Sequence, residues 1–158
     1  MKKGLLSLFV VSLVLAVSCT LSQSHLVRGK TYLDKKKYSR AISELELAAN
    51  EKGDIYYYLD TYSWLGDAYR KSSQEDKAIS VYRNALHIIH LRVRALSARR
   101  HNIRRELNSG SRVNPQDLQN EDIRLGDEEG RLKERGEDIK VKLDNLLNVT
   151  GQEQGRRE

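Results

Sequence analysis

Three regimes of hydrophobic patterning run along the chain. Residues 4–18, GLLSLFVVSLVLAVS, are almost continuously apolar. From residue 25 to about 92, apolar positions recur at intervals of three and four, interrupted by polar stretches at 34–38 and 71–75. That is the pattern of short amphipathic helices joined by turns. Beyond the second turn the stripe does not stop. Tyr82, Leu86, Ile89, Val93, Leu96, Ile103 and Leu107 continue it, with Arg100 as the one interruption. No Gly or Pro occurs from 75 to 108, so one helix of about 30 residues is predicted. The segment 108–115, NSGSRVNP, reads as a turn. Asn114 and Pro115 then supply an N-cap and a first-position proline, with Asp117 in the first turn. In the last predicted helix Leu118, Leu125, Leu132, Ile139 and Leu146 recur every seven residues. The companion column, Asp122, Glu129, Gly136 and Leu143, is mostly polar, and Gly126, Gly130 and Gly136 interrupt the helix. Each internal glycine costs about 1 kcal/mol against alanine. Such a helix is marginal alone and needs a partner.

The middle regime repeats itself. Tyr62, Leu65, Gly66, Tyr69, Ala78, Tyr82 and Ala85 form one set of aromatic, small and apolar positions. Gly29, Tyr32, Ala41, Leu45 and Ala48 fall at the same offsets, 37 residues earlier, with His25 and Arg28 where Tyr62 and Leu65 stand. Small residues at Gly29, Gly66, Ala41 and Ala78 let paired helices approach closely, and Ala48 and Ala85 do the same toward a neighbouring pair. The set resembles the tetratricopeptide repeat. The resemblance covers roughly 22–92 and implies two helix–turn–helix units, about 22–53 and 59–92, with three extra residues between them in 51–54. It also implies a groove lined by first-helix residues that holds an extended peptide or a partner helix. By register these are Leu26, Lys30, Leu33 and Asp34 in the first unit, and Asp60, Ser63, Asp67, Arg70 and Lys71 in the second. The family's Lys/Asn clamp for carboxyl-terminal peptides is not reproduced, because Asp67 stands where Asn is expected.

The first regime is too short for an ordinary membrane span, which takes about 20 apolar residues. With Lys2 and Lys3 before it, the run reads as an export signal. Ala16-Val17-Ser18-Cys19 resembles a bacterial lipoprotein box, in which the cysteine is acylated before cleavage after residue 18. Two or three acyl chains make a stable anchor. Thr20 is not the Asp that retains some lipoproteins at the inner membrane, which tilts the expectation toward the outer membrane, facing the periplasm.

Composition narrows the function classes. The chain has 158 residues, one Cys, one Pro and eight Tyr, all of the tyrosines between 32 and 82. One cysteine excludes an internal disulfide framework, and the few Cys and His exclude a zinc ribbon. Net charge is +6, falling to +4 without Lys2 and Lys3, too mild to imply nucleic acid. Its distribution is more informative. Residues 85–108 carry six Arg and one Glu, whereas 116–138 carry nine acids and four bases. An antiparallel hairpin would set Arg99 and Arg104 against the 117–129 stretch, and would cover the outer face of the second repeat. The alternative is that Arg92, Arg94, Arg99, Arg100, Arg104 and Arg105 bind nucleic acid or an anionic lipid surface.

No catalytic set stands out: there is no phosphate loop, nucleophile elbow or HExxH motif. His87 and His90 lack a third metal ligand. The 148–150 sequon is incidental behind a bacterial signal. The sequence therefore predicts an all-α, non-enzymatic, membrane-anchored adaptor or scaffold without cofactor or metal, working through a protein partner in the cell envelope. Its segments are a signal (1–18), a repeat domain (19–92), a helical hairpin (93–148) and a disordered tail (149–158). A self-associating lipoprotein, pairing through the hairpin as a homo-oligomer, is the second reading. A metal carrier or enzyme centred on His87 and His90 is the third.

Overall fold

The structure, a computed structural model, describes residues 24–110 and 113–154. The apolar leader, Cys19 and residues 155–158 lie outside them. Among the described residues there are five helices and no strand: α1 (His25–Asp34), α2 (Tyr38–Ala49), α3 (Ile55–Lys71), α4 (Glu75–Asn108) and α5 (Pro115–Gln154). The fold is all-α, as the periodicity requires. The tail differs from its expectation. Helix continues through Gln154 despite Gly151, with Leu146 anchoring the turn before it in the core.

α1 and α2 form the first helix pair, and α3 with the first half of α4 forms the second. Ser24 and Asp54 cap α1 and α3, accepting from the amides of Val27 (3.4 Å) and Tyr57 (2.8 Å). The intra-pair turns match. Lys36 and Ser73, 37 residues apart, both have φ of 57°. The amides after them bond five residues back, Lys37 to Tyr32 (2.9 Å) and Gln74 to Tyr69 (3.0 Å), the Schellman closure. A side chain in this left-handed region costs about 1 kcal/mol that glycine avoids. Ser73→Gly is therefore expected to stabilise the protein by about 0.5–1 kcal/mol, read as a higher urea midpoint at unchanged slope.

The small residues sit where the helices touch. A Cβ at Gly29 would collide with the Leu45 side chain, and one at Gly66 with the Tyr82 ring. Ala41, Ala48, Ala78 and Ala85 are wholly buried, as are Leu65 and Tyr69 nearly so, while Tyr32 and Tyr62 pack half-buried against the same core. The weak start of the first unit has a polar substitute for its missing apolar pair. His25 Nδ1 and Arg28 Nε both meet Glu44 Oε2 on α2, at 2.8 and 2.9 Å.

α4 then runs on as one helix and α5 returns along it. Leu96 and Ile103 are buried against Leu118, Leu125, Leu132 and Ile139. Two irregularities of the sequence turn out to be one feature. Arg100, which breaks the α4 stripe, donates to Asp122 (2.9 Å) and Glu129 (3.1 Å) of the polar column on α5. Gly126 leaves the room its guanidinium occupies, since a Cβ there would lie 3.3 Å from Arg100 Cζ. A Cβ at Gly136 would lie 3.5 Å from Ile89, an ordinary contact, so that glycine is not required by space. Glu129 is only 8% exposed and also takes Lys133 Nζ at 2.6 Å. Arg100→Leu is expected to lower the urea midpoint by leaving Glu129 with Lys133 alone and Asp122 with Arg104 alone, and adding Glu129→Leu should recover much of the loss.

The expected charge pairing is present around this layer. Arg99 grips Glu121 through Nε and Nη2 (2.9 and 3.0 Å), Arg92 meets Glu128 (2.7 Å), and Arg104 lies 3.5 Å from Asp122. Arg99 holds the Glu121 carboxyl, and Arg100 the Asp122 carboxyl, below the ordinary range; Lys133 and then Arg100 do so for Glu129. The unfolded chain therefore binds more protons than the folded one as pH falls. The stability these pairs contribute is complete above the ordinary carboxylate values, 4.5 for Glu and 3.8 for Asp, and is lost as pH drops through the lower folded values. A melting series should be flat from neutral pH down to about 5 and fall steeply below it, with a smaller fall in high salt.

Candidate functional site: the repeat groove and the helix laid along it

On α3 the buried residues Leu59, Leu65, Gly66 and Tyr69 face α2 and α4. The opposite side carries Tyr56, Asp60, Ser63 and Asp67, the side expected to hold a partner. In the structure that side is met by α5. Tyr56 Oη accepts from Arg131 (3.4 Å), Asp60 pairs with Arg135, and Lys142 Nζ donates to Ser63 Oγ (2.8 Å) and Asp67 Oδ2 (2.7 Å). Three of these contacts share one sequence offset of 75 residues. A constant offset means that α5 runs parallel to α3 while lying antiparallel to α4. It stands where the first helix of a third unit would stand.

This corrects part of the groove. Asp60, Ser63 and Asp67 are not open to a partner but tie α3 to α5. Asp67 is a junction of three helices, because Tyr82 Oη on α4 donates to its Oδ1 at 2.7 Å. Leu33 is corrected as well. It shares a face with Gly29 and Leu26, and is a core residue at 7% exposure. Leu26 packs half-buried against that core. Lys30, Asp34, Arg70 and Lys71 remain exposed. Lys30 Nζ lies 5.0 Å over the ring of Trp64, a half-buried aromatic between α1 and α3 that register alone did not select. Arg131, Arg135 and Lys142 were also missed. Their signal was present, a row of cations at spacings of four and seven on α5 matching polar residues at the same spacings on α3, but it has meaning only once the two helices are known to be parallel.

Past the Lys142–Asp67 pair the two helices leave a cleft of ≈ 510 Å³. It is lined by Asp67 and Arg70 of α3 and Glu75 at the start of α4 on one side, and by Lys142, Asn145, Leu146, Val149 and Thr150 of α5 on the other. On the other side of α3, burial pushes the Tyr69 phenol up to about 12, helped by its bond to Glu46 on α2. His87 and His90 are exposed on α4, and no group of three or more metal-ligating side chains occurs among the described residues. No helix among the described residues is long and apolar enough to cross a membrane.

The pattern of the tetratricopeptide repeat matches residues 59–88, which span α3 and the first turns of α4. The match covers 30 of the 158 residues, so it is the α3–α4 pair that is similar to a tetratricopeptide repeat. Tetratricopeptide repeats generally mediate protein–protein interactions. No curated protein and no solved structure matches the chain.

Proposed function

We propose that this protein, through its tetratricopeptide-like helix pairs, is a non-catalytic adaptor or scaffold of the bacterial cell envelope, tethered through acylated Cys19 to the outer membrane on its periplasmic side. The repeat supplies the binding role, and the observation that carries it is the cleft between α3 and the end of α5. There Arg70, Glu75 and Asn145 offer polar contacts beside the exposed side chain of Val149. A short extended segment of a protein partner fits such a mixed wall. Self-association through the hairpin is less well supported, because the stripe it would use is already buried between α4 and α5 of one chain.

Two experiments test the two halves. Palmitate labelling in cells should mark the wild-type chain and fail on Cys19→Ala; equal labelling of both would remove the tether. A photo-cross-linker at Lys71, beside the cleft, should trap a partner in intact cells, whereas one at Ser43 on the outer face of α2 should not. Equal adducts at both positions would remove the cleft as the binding surface.

A further inference from the structure

α4 carries seven arginines, and the structure divides them by face. Arg92, Arg99, Arg100 and Arg104 turn toward the carboxylates of α5. Arg83, Arg94 and Arg105 do not. All three are exposed, and among the described residues no carboxylate pairs with them. They are spaced by 11 residues, close to three full turns, so they fall along one line of about 33 Å. That line lies opposite Tyr82, Ala85, Ile89, Leu96 and Ile103, the side on which α3 and α5 pack. The exposed His87, His90 and His101 stand on the same side. No Asp or Glu occurs between Asp76 and Glu106.

We propose that this outward stripe of α4 docks on an anionic phospholipid bilayer. Evenly spaced guanidinium groups on a straight helix match a planar array of headgroup phosphates, each arginine donating to phosphate oxygens. A protein interface would instead want a central buried aromatic or apolar anchor, and the stripe has only Leu91 beside it, half-exposed. The absence of acids along the face from 77 to 105 is the complement of a negative surface rather than of a mixed protein one. The inference is independent of the acyl tether. It adds a second contact that would set the long hairpin flat against the bilayer.

The test is partition of the full-length chain between buffer and vesicles of phosphatidylcholine alone, or with phosphatidylglycerol added. The apolar leader contributes equally to both, so the readout is the excess on anionic vesicles. Each arginine is expected to contribute roughly fivefold, and R83Q/R94Q/R105Q to lose of the order of a hundredfold. The excess should also vanish in high salt. R83K/R94K/R105K should keep most of it. K35Q/K36Q/K37Q, which removes the same charge from the exposed α1–α2 turn, should keep all of it; thermal melts confirm that each variant is folded. No excess on anionic vesicles would overturn the proposal and leave the stripe to an acidic macromolecule. So would an equal loss in K35Q/K36Q/K37Q, which would show net charge rather than this face at work.

Discussion

Tyr82→Ala is expected to destabilise the protein by about 3–5 kcal/mol, the largest effect of any single substitution considered. Tyr82 is 0% exposed. Its ring fills the space that Gly66 leaves open, so the substitution creates a cavity that the glycine cannot relax into. Its hydroxyl donates to Asp67, which also holds Lys142. Removing it thus loosens α4 from α3 and weakens the seat of α5 at once. Tyr82→Phe separates the two contributions. It keeps the ring and gives up one hydrogen bond, worth about 1 kcal/mol. Against a total stability of about 5–15 kcal/mol for a domain of this kind, the alanine variant should be largely unfolded at modest urea and the phenylalanine variant only slightly shifted. Urea denaturation followed by far-ultraviolet circular dichroism reads both. The hydroxyl also sets an alkaline limit. Burial and then Asp67 push its ionisation well above the tyrosine range, so the stability it contributes is complete below pH 10 and is lost as pH rises toward the folded value.

Most of the helix pairing was legible because it is written in residue size. Gly29 and Gly66, with Ala41, Ala48, Ala78 and Ala85, must be small for the helices to touch, and nothing else explains their spacing. The length of α4 was legible from the absence of Gly and Pro, and the hairpin from its opposed charge. What was not legible depends on lateral placement. Asp60, Ser63 and Asp67 are polar residues on a first helix, equally compatible with an empty groove and with a neighbouring helix. Only the direction of α5 relative to α3 decides between them. Arg100 and the column of Asp122, Glu129 and Gly136 were visible as separate departures from an apolar stripe. Pairing them required the hairpin register, which two independent heptad patterns do not fix. Leu33 was misplaced because register with a repeat pattern was followed over its own helix, where Leu26, Gly29 and Leu33 share one face. For His25 and Arg28 the pattern marked only a failure of the consensus. The structure gives them a common carboxylate on α2 and so retains the contact in polar form.

The unifying claim is that α5 takes the position of a third unit's first helix and closes a repeat array too short to stand alone. Leu118, Leu125, Leu132, Ile139, Leu143 and Leu146 are all buried by this helix's docking. Each contributes about 1.5–3 kcal/mol of apolar burial, of the order of 10 kcal/mol together before the cost of ordering the helix. Their loss would also uncover Ile89, Leu96 and Ile103 on α4. Two units are fewer than the three that repeat arrays usually need. A chain ended at Asn114 is the direct test, compared with the intact chain by amide hydrogen exchange across α3 and the first half of α4. Closure by α5 predicts that protection from Leu59 to Ile89 collapses and that the cooperative melt disappears. Retention of both in the shortened chain would contradict it.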